Sequence, residues 1–204
     1  MVVHGSERQV ILPAHLVAGV DEVGRGPLAG PVVTAAVILD PSDLPGGLAD
    51  SKTLTGAQRA TIAADIFRRA ISVSLASAGA ATIDIMNIRA ATLSAMVRAV
   101  AGLSHAPSLV LVDGRDTIRV SIPCRAIIRG DTSEPAIAAA SIIAKVVRDA
   151  LMTRLHDAFP VYGFAQHVGY GTQTHRDAIA EHGPCDHHRF SFAPVKGRWV
   201  REAS

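Results

Sequence analysis

The sequence predicts an α/β layered domain around one sheet, with a smaller helical part at its C-terminal end. Three observations carry this expectation. Short β-branched runs alternate with longer segments of helical spacing, as in a sheet covered by helices. Two of the runs end on a carboxylate, and a third acid sits in a turn just beyond another. From Phe159 onward, glycine, histidine and aromatic residues displace the aliphatic pattern.

Taken in order, Leu16–Val20 is an apolar run leading to Asp21, and VVTAAVIL (32–39) is long and β-branched enough for a buried strand. Between them DEVGRGPLAGP reads as a loop. Residues 54–70 have helical spacing. Ile71, Val73 and Leu75 then alternate with Ser72, Ser74 and Ala76, the period of a half-buried strand. A single helix is expected over 82–103. SLVLV (108–112) is a further strand closed by Asp113-Gly114, and 125–128 adds one more before Gly130-Asp131. Ser133 opens a long alanine-rich helix in which Pro135 is tolerated in the first turn, and whose inner face can lie close to a sheet. A short helix is expected over 174–182. The division this suggests is a core over 1–158 and a helical substructure over 159–204.

At 204 residues and 49% hydrophobic, the chain suits one substantial core. The two cysteines, Cys124 and Cys185, are too few for a disulfide framework and fit a reducing compartment. No leader-like N-terminal pattern and no run of ~18 apolar residues occurs, so the expectation is a cytoplasmic protein with no membrane partner. A formal charge of +2 is weak for nucleic-acid binding. If several acids are engaged with metal, however, the basic excess of the remainder grows and can face a phosphate backbone.

The acids are the main chemical signal. Asp21-Glu22, Asp113 and Asp131 lie at or beyond strand ends, where residues distant in sequence can converge on one sheet edge. Adjacent residues of a strand face opposite ways, and Gly24 and Gly26 would allow the strand to break there. Like charges ~4 Å apart repel by about 4 kcal/mol at an effective dielectric of 20, so a cation or a shared proton is required. An oxygen-only donor set favours Mg2+ or Mn2+. Two such ions would bracket a scissile phosphate in an in-line displacement leaving 3′-hydroxyl and 5′-phosphate ends.

Gly24-Arg25-Gly26-Pro27-Leu28-Ala29 fits the loose dinucleotide fingerprint, but that motif needs a helix directly after it. Here Pro27 and Pro31 lead into a β-branched strand. A strand-loop-strand element is expected instead, its glycines allowing close approach of a ligand and Arg25 contacting phosphate or sugar. His182, Cys185, His187 and His188 crowd together, yet their spacing fits no standard zinc site.

These blocks together resemble the ribonuclease HII family. The likeness runs through VAGVDEVGRGPLAGPVVTAAVIL, LADSKTLT, NIRAATLSAM, LVDGRD, GDTSEPAIAAASIIAKVVRD, YGFAQHVGYGTQTH and GPCDHHRFSFAPV, in order, from Val17 to Val195. The resemblance implies a ribonuclease H-like mixed sheet with flanking helices. It also implies an endonuclease that hydrolyses the RNA strand of RNA–DNA hybrids and incises 5′ of ribonucleotides embedded in duplex DNA. On it, Asp21, Glu22, Asp113 and Asp131 are the catalytic, metal-binding carboxylates. Gly24, Arg25 and Gly26 grip the backbone around a ribonucleotide and read its 2′-hydroxyl, the group that separates RNA from DNA. Tyr170 stacks on the following deoxyribose, and Lys52, Ser141 and Lys145 stand at phosphate-contacting positions. The expected form is a monomer; no clamp-binding motif is assigned. Val168 departs from the family, which often has a basic residue there, and Arg129 replaces a frequent lysine. Another metal-dependent nuclease on the same fold and a non-catalytic hybrid-binding protein are the alternatives. The glycine-arginine loop with Tyr170 argues against the first, and the full set of four acids against the second.

Overall fold

A computed structural model describes residues 15–48 and 54–200. Five strands form one sheet in the order β3-β2-β1-β4-β5. β1 (Val17–Val23) pairs antiparallel with β2 (Val32–Ile38), and β2 antiparallel with β3 (Ser72–Ala78). β4 (Leu109–Asp113) lies parallel to β1 and β5 (Cys124–Ile127) parallel to β4. The sheet is therefore mixed, and the reversal from antiparallel to parallel falls on β1, the strand that carries Asp21.

Helices cover both faces. Val33, Ala35 and Val37 pack with α1 (Gly56–Arg69) and α5 (Pro135–Ala158), while Val20, Ala36, Val110 and Val112 pack with α3 (Ile88–Ala101). β2 is buried along its whole length, consistent with its unbroken apolar run. Ala138, Ala139, Ala140 and Ala144 give α5 a low inner surface. At Gly19 the approach is closest: a Cβ there would stand 2.1 Å from the Ala136 carbonyl carbon. No side chain larger than hydrogen fits under the helix at that point.

Several expectations change. The single helix over 82–103 is two, α2 (Ala80–Met86) and α3, because Asn87 takes φ 65° and its side chain caps α3 by accepting from the Ala90 N–H. Asp131 lies in a short helix, α4 (Gly130–Ser133), rather than a turn, and α5 starts at Pro135. In β3, Val73 packs against the α1–α5 side of the core, but Leu75 on the same face is exposed and Ser72 is buried and bonded to Ser104, so the apolar alternation marks the inner face of this edge strand only in part. Past α5 come a 3-10 turn (Pro160–Tyr162), α6 (Phe164–His167) and α7 (Gln173–His182). Tyr162 and Phe164 pack there with Ala29 and Met152, tying this segment to the β1–β2 loop and to α5. Among the described residues, no helix is long and apolar enough to cross a membrane.

Candidate active site

The β1–β4 register pairs Val20 with Val112, so the next step along both strands places Asp21 beside Asp113. Contrary to the expectation of a strand ending before the acids, β1 runs on to Val23. Asp21 and Glu22 therefore straddle the sheet. Asp21, in phase with Gly19, meets α5, where the Ser141 hydroxyl hydrogen-bonds its carboxylate. Glu22 turns to the α3 side and helps line a cavity of about 150 Å³ with Arg25, Arg89, Thr92, Met96 and Asp113. Arg25 Nη1 donates to Glu22 Oε1 at 3.2 Å. Asp131 is buried, and its backbone N–H donates to Asp113 Oδ1 at 3.4 Å.

Negative charge gathers here without enough positive charge to offset it. Burial, then the Glu22 charge, pushes the Asp21 carboxyl up to about 8, with Asp113 adding to the rise and the Ser141 hydrogen bond opposing it. Burial also raises Glu22, against the pull of Arg25. Among the described residues, no three His, Cys, Asp or Glu side chains stand together as a finished cation cage. The alternation of Asp21 and Glu22 across the sheet, with Glu22 drawn to Arg25, is the physical reason. The donor set nevertheless fits a hard cation: it is all oxygen, and Asp21 is left needing either a proton or a positive ion.

The other expected residues are less uniform. Gly24, Arg25 and Gly26 form the turn after β1, with Arg25 and Gly26 exposed. Tyr170, 47% exposed, borders that turn: its ring lies 3.6 Å from where a Cβ on Gly26 would sit. Ser141 is at the carboxylates, whereas Lys145 is paired along α5 with Asp149 at 2.7 Å. Lys52 lies outside the described residues.

Sequence reading passed over three buried side chains, Arg148, Arg189 and His175. Arg148 and Arg189 are both 0% exposed and bind the glycine loop from beneath. His175 and His188 are buried too, joined Nε2 to Nε2 at 3.0 Å. The partners set their protonation: His175 Nδ1 faces the Tyr170 carbonyl at 2.9 Å and must donate, and His188 Nδ1 accepts from the Cys185 N–H at 3.0 Å. His188 Nε2 thus donates to His175 Nε2, and His175 is neutral. Burial holds His175 down at about 4, in keeping with that arrangement. Cys185 and His188 stood in the histidine-rich cluster of the sequence, but His175, ten residues earlier than Cys185, did not.

Acids at the ends of β1 and β4 of a mixed sheet with helices on both faces define a ribonuclease H-like nuclease. The chain belongs to the Ribonuclease HII family, whose model matches residues 18–195, and is an RNA–DNA hybrid ribonuclease. It is 56% identical over 183 residues to Ribonuclease HII of Verminephrobacter eiseniae, covering 90% of this chain and 88% of that one. The fold is similar to the RNase HII of the PCNA:RNase HII complex from Archaeoglobus fulgidus, with TM-score 0.76, 25% identity, and 93% and 98% of the two chains covered. It is also similar to Bst-RNase HIII in complex with Mn2+, with TM-score 0.65, 20% identity, and 91% and 69% covered.

Proposed function

We propose that this enzyme hydrolyses the RNA strand of hybrids and also incises 5′ of single ribonucleotides in duplex DNA, leaving 3′-hydroxyl and 5′-phosphate ends. The observation that carries the reading is the buried Asp21 carboxyl, in register with Asp113 and next to Glu22, directly beside the exposed turn at Arg25 and Gly26.

In this reading Asp21, Glu22, Asp113 and Asp131 hold divalent cations, Mg2+ or Mn2+. Two such ions would supply an activated water and a stabilised leaving oxygen at the scissile phosphate. The protein's own groups do the rest. Ser141 fixes the Asp21 carboxylate, favouring its charged form. Arg25, held to Glu22 in the free protein, is placed to exchange that partner for a phosphate, since a guanidinium binds either anion through the same fork. Gly24, Arg25 and Gly26 meet the ribonucleotide and Tyr170 stacks on the next sugar, so the RNA-to-DNA step is read from two sides. Lys52 and Lys145 serve the phosphates, Lys145 after release from Asp149, and residues 159–204 help to hold the duplex.

The test is cleavage of an end-labelled DNA duplex containing one ribonucleotide, with Mg2+, Mn2+ or chelator, for wild type and Asp21→Asn. Metal-dependent incision 5′ of the ribonucleotide, lost in the variant, is expected. Cleavage of an all-DNA control, or of long hybrids alone, would overturn the specificity.

A further inference from the structure

Arg148 and Arg189 are charged, wholly buried and directed at main-chain carbonyls. Arg189 donates from Nη1 to Arg25 O at 2.7 Å, from Nη2 to Gly24 O and Gly30 O, and from Nε to Gly30 O. Arg148 donates from Nε to Pro31 O at 3.0 Å, from Nη1 to Val168 O at 3.0 Å and from Nη2 to Ala29 O at 3.3 Å. The two side chains come from α5 and from the segment after α7, and they meet under one loop. Burying a guanidinium is costly unless its donors are satisfied. Here the compensation comes from carbonyl dipoles, with the Phe192 ring 5.1 Å from the Arg189 guanidinium carbon. Such an arrangement fixes the loop more firmly than a core of aliphatic side chains could, because each acceptor has a set direction.

That direction has a chemical result. Among the described residues only Ala193-Pro194 is cis, so the peptides joining Gly24, Arg25 and Gly26 are trans. In a planar trans peptide the C=O and N–H point in opposite directions. Arg189 draws the Gly24 and Arg25 carbonyls inward. The N–H groups of Arg25 and Gly26, which share those two peptides, are thereby turned outward on the exposed side of the turn, where Tyr170 also stands. Two successive outward amides form a donor pair for a phosphate or hydroxyl oxygen. Gly24 completes the geometry: its φ is 94°, and a Cβ on it would stand 2.1 Å from Arg148 Nε.

We propose that Arg189, backed by Arg148, is a positioning residue for ribonucleotide recognition, aiming the Arg25 and Gly26 amides at the sugar-phosphate of the ribonucleotide. The proposal rests on the glycine turn being the ribonucleotide-binding segment. Lysine would keep the charge but not the planar fork that spans several carbonyls, so Arg189→Lys isolates geometry from charge.

The experiment compares binding, in chelator, to two labelled duplexes identical except for one ribonucleotide, using wild type, Arg189→Lys and Arg148→Lys. Arg189→Lys is expected to lower the ribonucleotide-over-deoxynucleotide affinity ratio about tenfold, with a smaller loss in Arg148→Lys and a cooperative melt retained in both. A ratio unchanged in folded Arg189→Lys would overturn the proposal while leaving the binding role of the turn intact. Absence of any preference in wild type would instead remove the reading of the turn itself. Should Arg189→Lys fail to fold, the wild-type amide resonances decide. Those of Arg25 and Gly26 are expected to move downfield with the ribonucleotide duplex and not with the all-DNA one, and unmoved amides would overturn the proposal.

Discussion

Two buried polar regions lie on either side of the glycine turn, and they are built on opposite principles. Beneath it, Arg148, Arg189, His175 and His188 have donors and acceptors matched one to another, and each group has a partner in a set direction. At the end of β1, Asp21 is buried against like charges and its pKa climbs to about 8. A satisfied network rigidifies its surroundings, whereas an unsatisfied one stores an affinity for whatever completes it. The contrast separates scaffold from the proposed reaction centre.

Asp21→Asn is the strongest way to break it. Removing the charge should lower hybrid cleavage about a thousandfold, as the loss of several kcal/mol of charge stabilisation requires. In chelator the same change should raise the thermal midpoint by a few degrees, because it removes a carboxyl whose ionisation is opposed by burial first and then by the charges of Glu22 and Asp113. A lowered midpoint in calorimetry would place Asp21 with the scaffold instead.

The scaffold side has the opposite signature. His175 is neutral when folded and titrates at about 4, against 6.5 for its ordinary value. Between those values the unfolded chain takes up a proton that the folded chain does not. Stability from this residue is therefore intact above pH 6.5 and lost as pH falls toward 4, by roughly 3 kcal/mol. Urea unfolding at pH 7 and pH 4.5 should show that extra loss in wild type and not in His175→Gln.

Smaller effects sharpen the boundary. Ser141→Ala removes a hydrogen bond that favours the charged form of Asp21, and hybrid cleavage should fall about tenfold with little change in melting, as one charge-assisted bond is worth. Least of all, Val168→Lys should tighten duplex binding a few-fold and steepen the salt dependence by about one phosphate contact, read by anisotropy over a salt series.

Much of the candidate site's placement was legible because its logic is local. An apolar run followed by an acid is what β1 and β4 look like in one dimension, and the alanine-rich helix announced its own close approach to the sheet. What escaped depends on distance along the chain. Arg189 and the Gly24 carbonyl are 165 residues apart, and a single arginine after two histidines reads as an ordinary surface cation until the carbonyls around it are seen. Asn87 divides two helices by adopting a left-handed φ, which the apolar spacing of 82–103 conceals. The strand's passage through Asp21-Glu22 was hidden because the glycines suggested an earlier break than the one at Val23.

Ser141 and Arg148 belong to the same helix, seven residues apart along α5. At 1.5 Å of rise per residue that is about 10 Å, the axial interval between the acids that Ser141 serves and the turn that Arg148 underpins. The helix is thus a ruler whose graduation is the rise per residue. One residue added between the two positions would advance Arg148 by 1.5 Å and swing it by about 100° around the axis, uncoupling the glycine turn proposed to read the substrate from the acids proposed to cut it.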